Sequence, residues 1–276
     1  IADGAQGGVN LSSSHHGRIA VVYAEGEIVD GEGDDGEIGG SKFSRALRKL
    51  RQDEEVKAVV LRVNSPGGSA SASEVIQREV RLLRKIKPVI VSMGNYAASG
   101  GYWLACAGDE IYADKSSIVG SIGVIAAGFG FVEAMAKLGV ERRVHTAGES
   151  KAILDPFQPE KKEDVERLLA IQSDVHDAFK RLVRESRKDK LKGEEKELLS
   201  GAFWSGRRAL ELGLIDGIGH LPDILERKFG RRVVIRTIQP FQGFGLKRFG
   251  LGAGAEAAEG LVEALETRAL WARFGL

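Results

Sequence analysis

One feature constrains this sequence more than any other: an apolar run, a glycine turn and a helical period occur together twice in immediate succession. Val56 to Val63 reads as a buried strand ending in Asn64-Ser65-Pro66-Gly67-Gly68. Val75, Ile76, Val80, Leu83 and Ile86 then recur at helical spacing, behind a capping box expected from Ser71 and Glu74. The second unit places a strand at Pro88 to Met93, a turn at Gly94 to Ser99 and a short apolar helix at Gly100 to Ala107. Stacking two such units side by side brings their glycine turns together, and the expected fold is α/β.

The flanking sequence continues the alternation. Ile19 to Val29 reads as a strand, Asp30 to Gly40 as a loop, and Phe43, Leu47 and Leu50 fall on one face of a short helix. Short strands are expected at Ile111 to Val119, Ile122 to Ala126 and Arg142 to Thr146, with Phe131 to Leu138 helical between them. Beyond Pro159, Val165, Leu168, Gln172, Val175, Phe179 and Leu182 alternate three and four apart. That spacing describes an amphipathic helix of about twenty-five residues whose stripe packs against the core or another subunit. Arg184 to Lys196 reads as a solvated helix end and loop, and a last unit runs from Trp204 through Arg232 to a strand ending at Ile238.

Composition removes several function classes. With 40 basic against 39 acidic residues, bulk charge selects no nucleic-acid partner. The single cysteine, Cys106, excludes an internal disulfide framework or a cysteine-built metal cluster, and neither a metal nor another cofactor is expected. No apolar run reaches the roughly 18 to 20 residues that cross a bilayer, so this stretch is expected to be soluble. It opens at Ile1 and runs through a Gly/Ser/His-rich lead to Gly17, which reads as a flexible remainder downstream of an anchor. His15 and His16 in that lead read as linker rather than as ligands.

Histidine is the usual base for a serine nucleophile. Outside the lead, however, the chain has His145, His176 and His220, none beside a serine-glycine turn. His176 and His220 read as surface or structural residues. Ala97-Ala98-Ser99-Gly100-Gly101 also departs from the Gly-x-Ser-x-Gly elbow of triad hydrolases. A lysine can replace histidine where burial strips water from its ammonium, because desolvation disfavours the charged form. Such chemistry needs a serine on a sharp turn at a helix start, backbone N–H donors for the oxyanion, and a lysine in a mostly apolar pocket. Ser99 fits the first requirement. Gly100, opening a helix, and Gly67 and Gly68, ending the neighbouring strand, offer the donors. Physics alone does not choose among the lysines, although Lys151 precedes Ala152-Ile153-Leu154. Read from its residues, the chain is a candidate serine hydrolase with a non-histidine base.

Four motifs in order add to that reading: Asn64-Ser65-Pro66-Gly67-Gly68, Met93 to Tyr102, Gly120-Ser121-Ile122-Gly123-Val124, and Thr146-Ala147-Gly148-Glu149-Ser150-Lys151. In order and spacing they resemble the signal peptide peptidase A and SohB family over about Arg18 to Arg236. The resemblance implies a Clp protease/crotonase-like superhelix of strand-turn-helix units, with Ser99 as nucleophile and Lys151 as base. It further implies Gly68 and the N–H of Gly100 as oxyanion donors, and Ser121 as the hydroxyl that orients the lysine amine. Trp204-Ser205-Gly206 to Gly213-Leu214-Ile215-Asp216 also matches and reads as structural. Implied too are peptide substrates such as cleaved signal peptides or other extended apolar segments, a homo-oligomer, and membrane association through an upstream anchor. The organisation expected is a flexible lead over 1–17, a protease domain over 18–238 and a helical tail over 239–276. Two other readings share this fold: a crotonase-type acyl-CoA enzyme, whose glycine turns hold a thioester enolate, and a non-catalytic assembly subunit. The first class typically uses acidic residues, whereas the turn here carries Ser99; intact Ser99 and Lys151 weigh against the second.

Overall fold

A computed structural model describes residues 18–148, 150–231 and 234–239. The lead over 1–17 and the tail beyond Gln239 lie outside the described residues. The chain enters as β1 (Arg18–Glu25), and Gly26, at φ +102°, separates it from β2 (Glu27–Val29). That conformation breaks in two the strand expected over Ile19 to Val29, and only glycine fits there, since a Cβ would stand 1.7 Å from the Gly36 carbonyl oxygen. The expected loop that follows holds β3 (Glu37–Gly39), paired parallel with β2. Helix α1 (Gly40–Gln52) buries Phe43, Leu47 and Leu50.

The two consecutive units are β4 (Val56–Ser65) with α2 (Ala70–Arg84), and β5 (Val89–Ala98) with α3 (Gly100–Ala105). After them come β6 (Glu110–Ala113), β7 (Ile118–Gly120), α4 (Val132–Leu138) and the long α5 (Lys162–Arg187). The last unit is α6 (Glu195–Leu198), β8 (Phe203–Ser205), α7 (Gly206–Glu211), β9 (Gly217–Ile218), α8 (Leu221–Phe229) and β10 (Val234–Ile238).

The main sheet has the order β10-β1-β4-β5-β6-β9 and is parallel along that path. Parallel sheets are covered on both faces, and the alternation along β4 shows it. Val59, Leu61 and Val63 enter the large core beneath α1, α2, α3 and α5, while Ala58 and Val60 enter a smaller one with Ile224 and Leu225 of α8. Each fully buried aliphatic side chain contributes about 1.5–3 kcal/mol to such a core.

Four local expectations are corrected. β5 does not turn at Gly94 but runs on to Ala98. Its register against β4 shifts between Val63 and Ser65, and Asn64 Oδ1 accepts from the Asn95 N–H at 2.9 Å, replacing a ladder bond. The second half of β5 then pairs with β7, Ala98 opposite Gly120. The N-cap of α2 is Ser69, whose Oγ accepts from the Ala72 N–H, not a Ser71–Glu74 box. Ser71 donates to Asp30 and Glu74 accepts from Trp103 Nε1, so both carboxylate and hydroxyl have tertiary partners instead. The strands expected at Ile122 to Ala126 and Arg142 to Thr146 are not formed, for among the described residues no neighbouring strand pairs with either. Finally, the charge-dense stretch after Arg184 is not all solvated: Arg187 is 2% exposed and ion-paired with Asp216.

Candidate active site

Ser99 sits between β5 and α3 at φ +50° and ψ −122°, a backbone conformation that residues with a side chain rarely adopt. Its N–H donates to the Gly120 carbonyl at 2.8 Å, and its own carbonyl accepts from the Trp103 N–H at 2.9 Å, closing the first turn of α3. The two glycines that follow are required by space. A Cβ at Gly100 would stand 2.5 Å from Ser73 Oγ, and one at Gly101 2.6 Å from the Ser65 carbonyl oxygen. α3 is fixed beneath the turn by Tyr102, whose buried hydroxyl donates to the Leu214 carbonyl at 2.7 Å, and by Trp103 stacked on Phe179 at 4.4 Å. Cys106, at the end of this helix, is buried, and burial pushes its thiol up to about 12.

The neighbouring glycine turn lies against the same point. A Cβ at Gly67, which has φ +115°, would stand 2.7 Å from Ser99 Cβ and 2.9 Å from Gly100 N. Gly67 C=O accepts from the Ile28 N–H and Ile28 C=O accepts from the Ser69 N–H, both at 2.7 Å. The Gly67 C=O and the Gly68 N–H belong to one trans peptide plane and point opposite ways, so the Gly68 N–H faces away from Ile28. Gly100, first in α3, has an N–H with no partner in its own helix. The structure thus packs the Gly67–Gly68 turn against the Ser99–Gly100 turn.

Ser121 follows Gly120, the residue hydrogen-bonded to Ser99, and is itself buried at φ +53°. Its N–H donates to the Ala202 carbonyl at 2.8 Å and its carbonyl accepts from the Gly123 N–H at 3.0 Å. Next to it, Nε2 of His176 lies 3.0 Å from the Ile122 carbonyl oxygen and 2.8 Å from that of Leu199. Both partners are acceptors, so Nε2 carries the proton and donates it. Sequence reasoning set His176 aside. The available signal was its place one residue beyond Val175 in the apolar stripe of α5.

Lys151 stands apart from this cluster. It is exposed, in the turn that follows Gly148, and its amine forms no hydrogen bond or ion pair with a described residue, Ser99 and Ser121 included. From Gly123 to Lys161 no described residue is buried. That arm is held by its own contacts. Phe131 and Phe157 stack at 5.5 Å, Arg142 lies over the Phe157 ring and 3.3 Å from Asp155, and the Phe131 N–H donates to the Pro156 carbonyl. Arg167 of α5 donates to Ser150, tying the residue before Lys151 to that helix. A lysine that is desolvated within the chain is Lys87, lowered by burial. It donates to the Leu50 and Asp53 carbonyls at the end of α1, a helix-capping role.

A parallel sheet whose consecutive strands close in glycine turns, with a strained serine on the second of them, is a fold of the Clp protease-like class. The family model of the Clp proteases matches residues 25–119, and that of peptidase family S49 matches residues 81–230. This chain belongs to peptidase family S49. It is 47% identical over 243 residues to a protein of Brucella abortus named Na(+)/H(+) antiporter NhaA, covering 83% of this chain and 33% of that protein. It is 42% identical over 221 residues to Protease 4 of Haemophilus influenzae, covering 76% and 34%. With a putative signal peptide peptidase SppA of Enterococcus faecium it shares 35% identity over 210 residues, covering 73% and 60%. The chain therefore spans about a third of the length of the first two of these relatives. Among the described residues, no helix is long and apolar enough to cross a membrane.

Proposed function

We propose that this chain is a serine endopeptidase in which Ser99 Oγ is the nucleophile and Lys151 the general base. Ser121 orients the lysine amine, and the N–H groups of Gly68 and Gly100 receive the oxyanion. The observation that carries this reading is Ser99 at φ +50°, presented on a sharp turn with the Gly67–Gly68 turn packed against it. Strain of this kind is retained where a side chain must be offered at a fixed angle. The neutral amine takes the Ser99 proton as Oγ attacks the scissile carbonyl carbon, and the ammonium then protonates the departing amine. Water repeats the sequence on the acyl-serine.

Such an amine works only when shielded from water, and Lys151 is exposed, with no described residue covering it. A second copy of the chain supplies the cover. The arm from Gly123 to Lys161 presents Ile125, Phe129, Leu138 and Val140 with more than half of each exposed, a surface suited to self-assembly. The name of the Enterococcus faecium relative, a putative signal peptide peptidase, supports signal peptides as substrates; other extended apolar peptides as substrates, and association with a membrane, belong to the same proposal.

The test combines a serine acylator with a peptide library. Wild type is expected to be labelled at Ser99 alone. Ser99→Ala and Lys151→Ala are each expected to lose turnover by several orders of magnitude while remaining folded, because members of such a unit fail together. Lys151→Arg is expected to be nearly as damaging, since a guanidinium stays charged near neutral pH. Substantial peptidase activity in Lys151→Ala would show that another group is the base.

A further inference from the structure

We infer that His176 is a positioning residue for the peptidase reaction, holding the Ser121 segment against Ser99 from across the molecule. This rests on the reading of Ser99, Lys151 and Ser121 given above. Ser121 occupies a left-handed conformation that its own side chain disfavours, so its place depends on what surrounds it. Besides the pairing of Gly120 with Ala98 and Phe203, three backbone bonds define that surrounding: Ser99 N–H to Gly120 C=O, Ser121 N–H to Ala202 C=O, and Gly123 N–H to Ser121 C=O. All three lie within the 120–123 segment and its neighbours. A further constraint is a side chain from α5. His176 donates one N–H to Ile122 C=O, immediately after Ser121, and to Leu199 C=O, three residues before the Ala202 that receives the Ser121 N–H. It therefore staples together the two strips of backbone between which Ser121 is held. Gly123 and Gly201 are in close contact beside it, where a Cβ at Gly123 would stand 2.9 Å from Gly201 Cα. Because its Nε2 proton is committed to two carbonyls, His176 cannot accept a proton from Ser99 through that nitrogen. Its effect reaches the reaction through Ser121 and Gly120.

The experiment compares the full chain with His176→Phe, which keeps a planar ring but has no donor, and His176→Gln, whose amide can donate to both carbonyls. Leu182→Ala, in the buried part of α5, serves as a control for loss of stability alone. Each is assayed for kcat and KM on one peptide well below its melting temperature. His176→Phe is expected to lose about tenfold in kcat with KM within about twofold, and His176→Gln to recover to within about threefold of wild type. Leu182→Ala is expected to keep its kcat despite a lower melting temperature. The inference is overturned if His176→Phe keeps the wild-type kcat, if His176→Gln is as impaired as His176→Phe, or if Leu182→Ala loses kcat to the same extent. Ser99→Ala is run alongside: an active Ser99→Ala refutes the peptidase reading and this inference with it, whereas an inactive one beside a fully active His176→Phe refutes the inference alone.

Discussion

Replacing Asp216 with asparagine removes the charge that balances the most deeply buried cation in the described structure. Arg187 is 2% exposed, its two terminal nitrogens donate to the two Asp216 oxygens at 2.9 Å, and its Nε donates to Gly213 C=O. Asp216 also accepts from the Ile111 N–H and from Lys190 Nζ. Asparagine keeps the shape and one acceptor but strands the guanidinium, and breaking a buried pair in this way costs about 3–5 kcal/mol. For a folded unit of roughly 150 to 250 residues each kcal/mol moves the melting temperature by about 2–4 °C, so a fall of about 6–20 °C is expected. The pH dependence gives an independent check. Burial raises the Asp216 carboxyl, but the bonds and charge of Arg187, with Lys190 and the Ile111 N–H, outweigh it and hold the group below the usual carboxylate range. A depressed carboxyl contributes stability that is present above its unfolded value, about 4, and lost as pH falls through the folded one. Wild type and Asp216→Asn should then differ by a constant amount from about pH 5 to 8 and converge in stronger acid. Calorimetry across that range measures both effects. A fall below about 2 °C at neutral pH, or a gap that does not narrow in acid, would refute the assignment of this pair as a stabilising one.

Two further outcomes follow from the site. Gly67→Ala places a methyl group on a backbone at φ +115°, within 2.7 Å of Ser99 Cβ; a loss of acylator labelling with destabilisation of roughly 1–3 kcal/mol is expected, measured by mass spectrometry and thermal melts. Ser121→Ala is expected to be milder than Lys151→Ala, since it misorients the amine without removing it. Parallel kcat/KM measurements decide, and equal or greater damage from a folded Ser121→Ala would move the base assignment toward that serine.

What could be read in the sequence was what short-range pattern controls. The alternation along β4 and the three-and-four spacing of α5 are local consequences of strand and helix periods, and both elements stand where expected. The turn at Ser99 is legible for a related reason: Gly100 and Gly101, which follow it, answer contacts with Ser73 and Ser65 that leave no room for a Cβ. The errors fall where a distant group decides. Asp30 and Trp103 take the side chains of the expected capping box, and Asn64 carries β5 past Gly94. Asp216, beyond α6 and α7, turns Arg187 inward from a segment whose composition reads as solvated. His176 belongs to the same group, since its two acceptors lie 54 and 23 residues away along the chain.

Lys151 extends this argument beyond a single chain. Its motif is local and legible, yet the desolvation its proposed role demands is absent from the arm that carries it, where the described residues from Gly123 to Lys161 are all at least partly exposed. Adding apolar residues to that arm would not by itself bury the amine, because the arm already presents apolar side chains and has no second layer among the described residues to pack them against. The serine half of the site is thus built by one chain's own sheet, through Gly67, Gly120 and α3. The proposed lysine half depends on a surface that closes over the arm. Under the proposed mechanism activity is coupled to assembly: serine and lysine can both be present in a folded chain, and the proposed base becomes competent only where another surface excludes water from it.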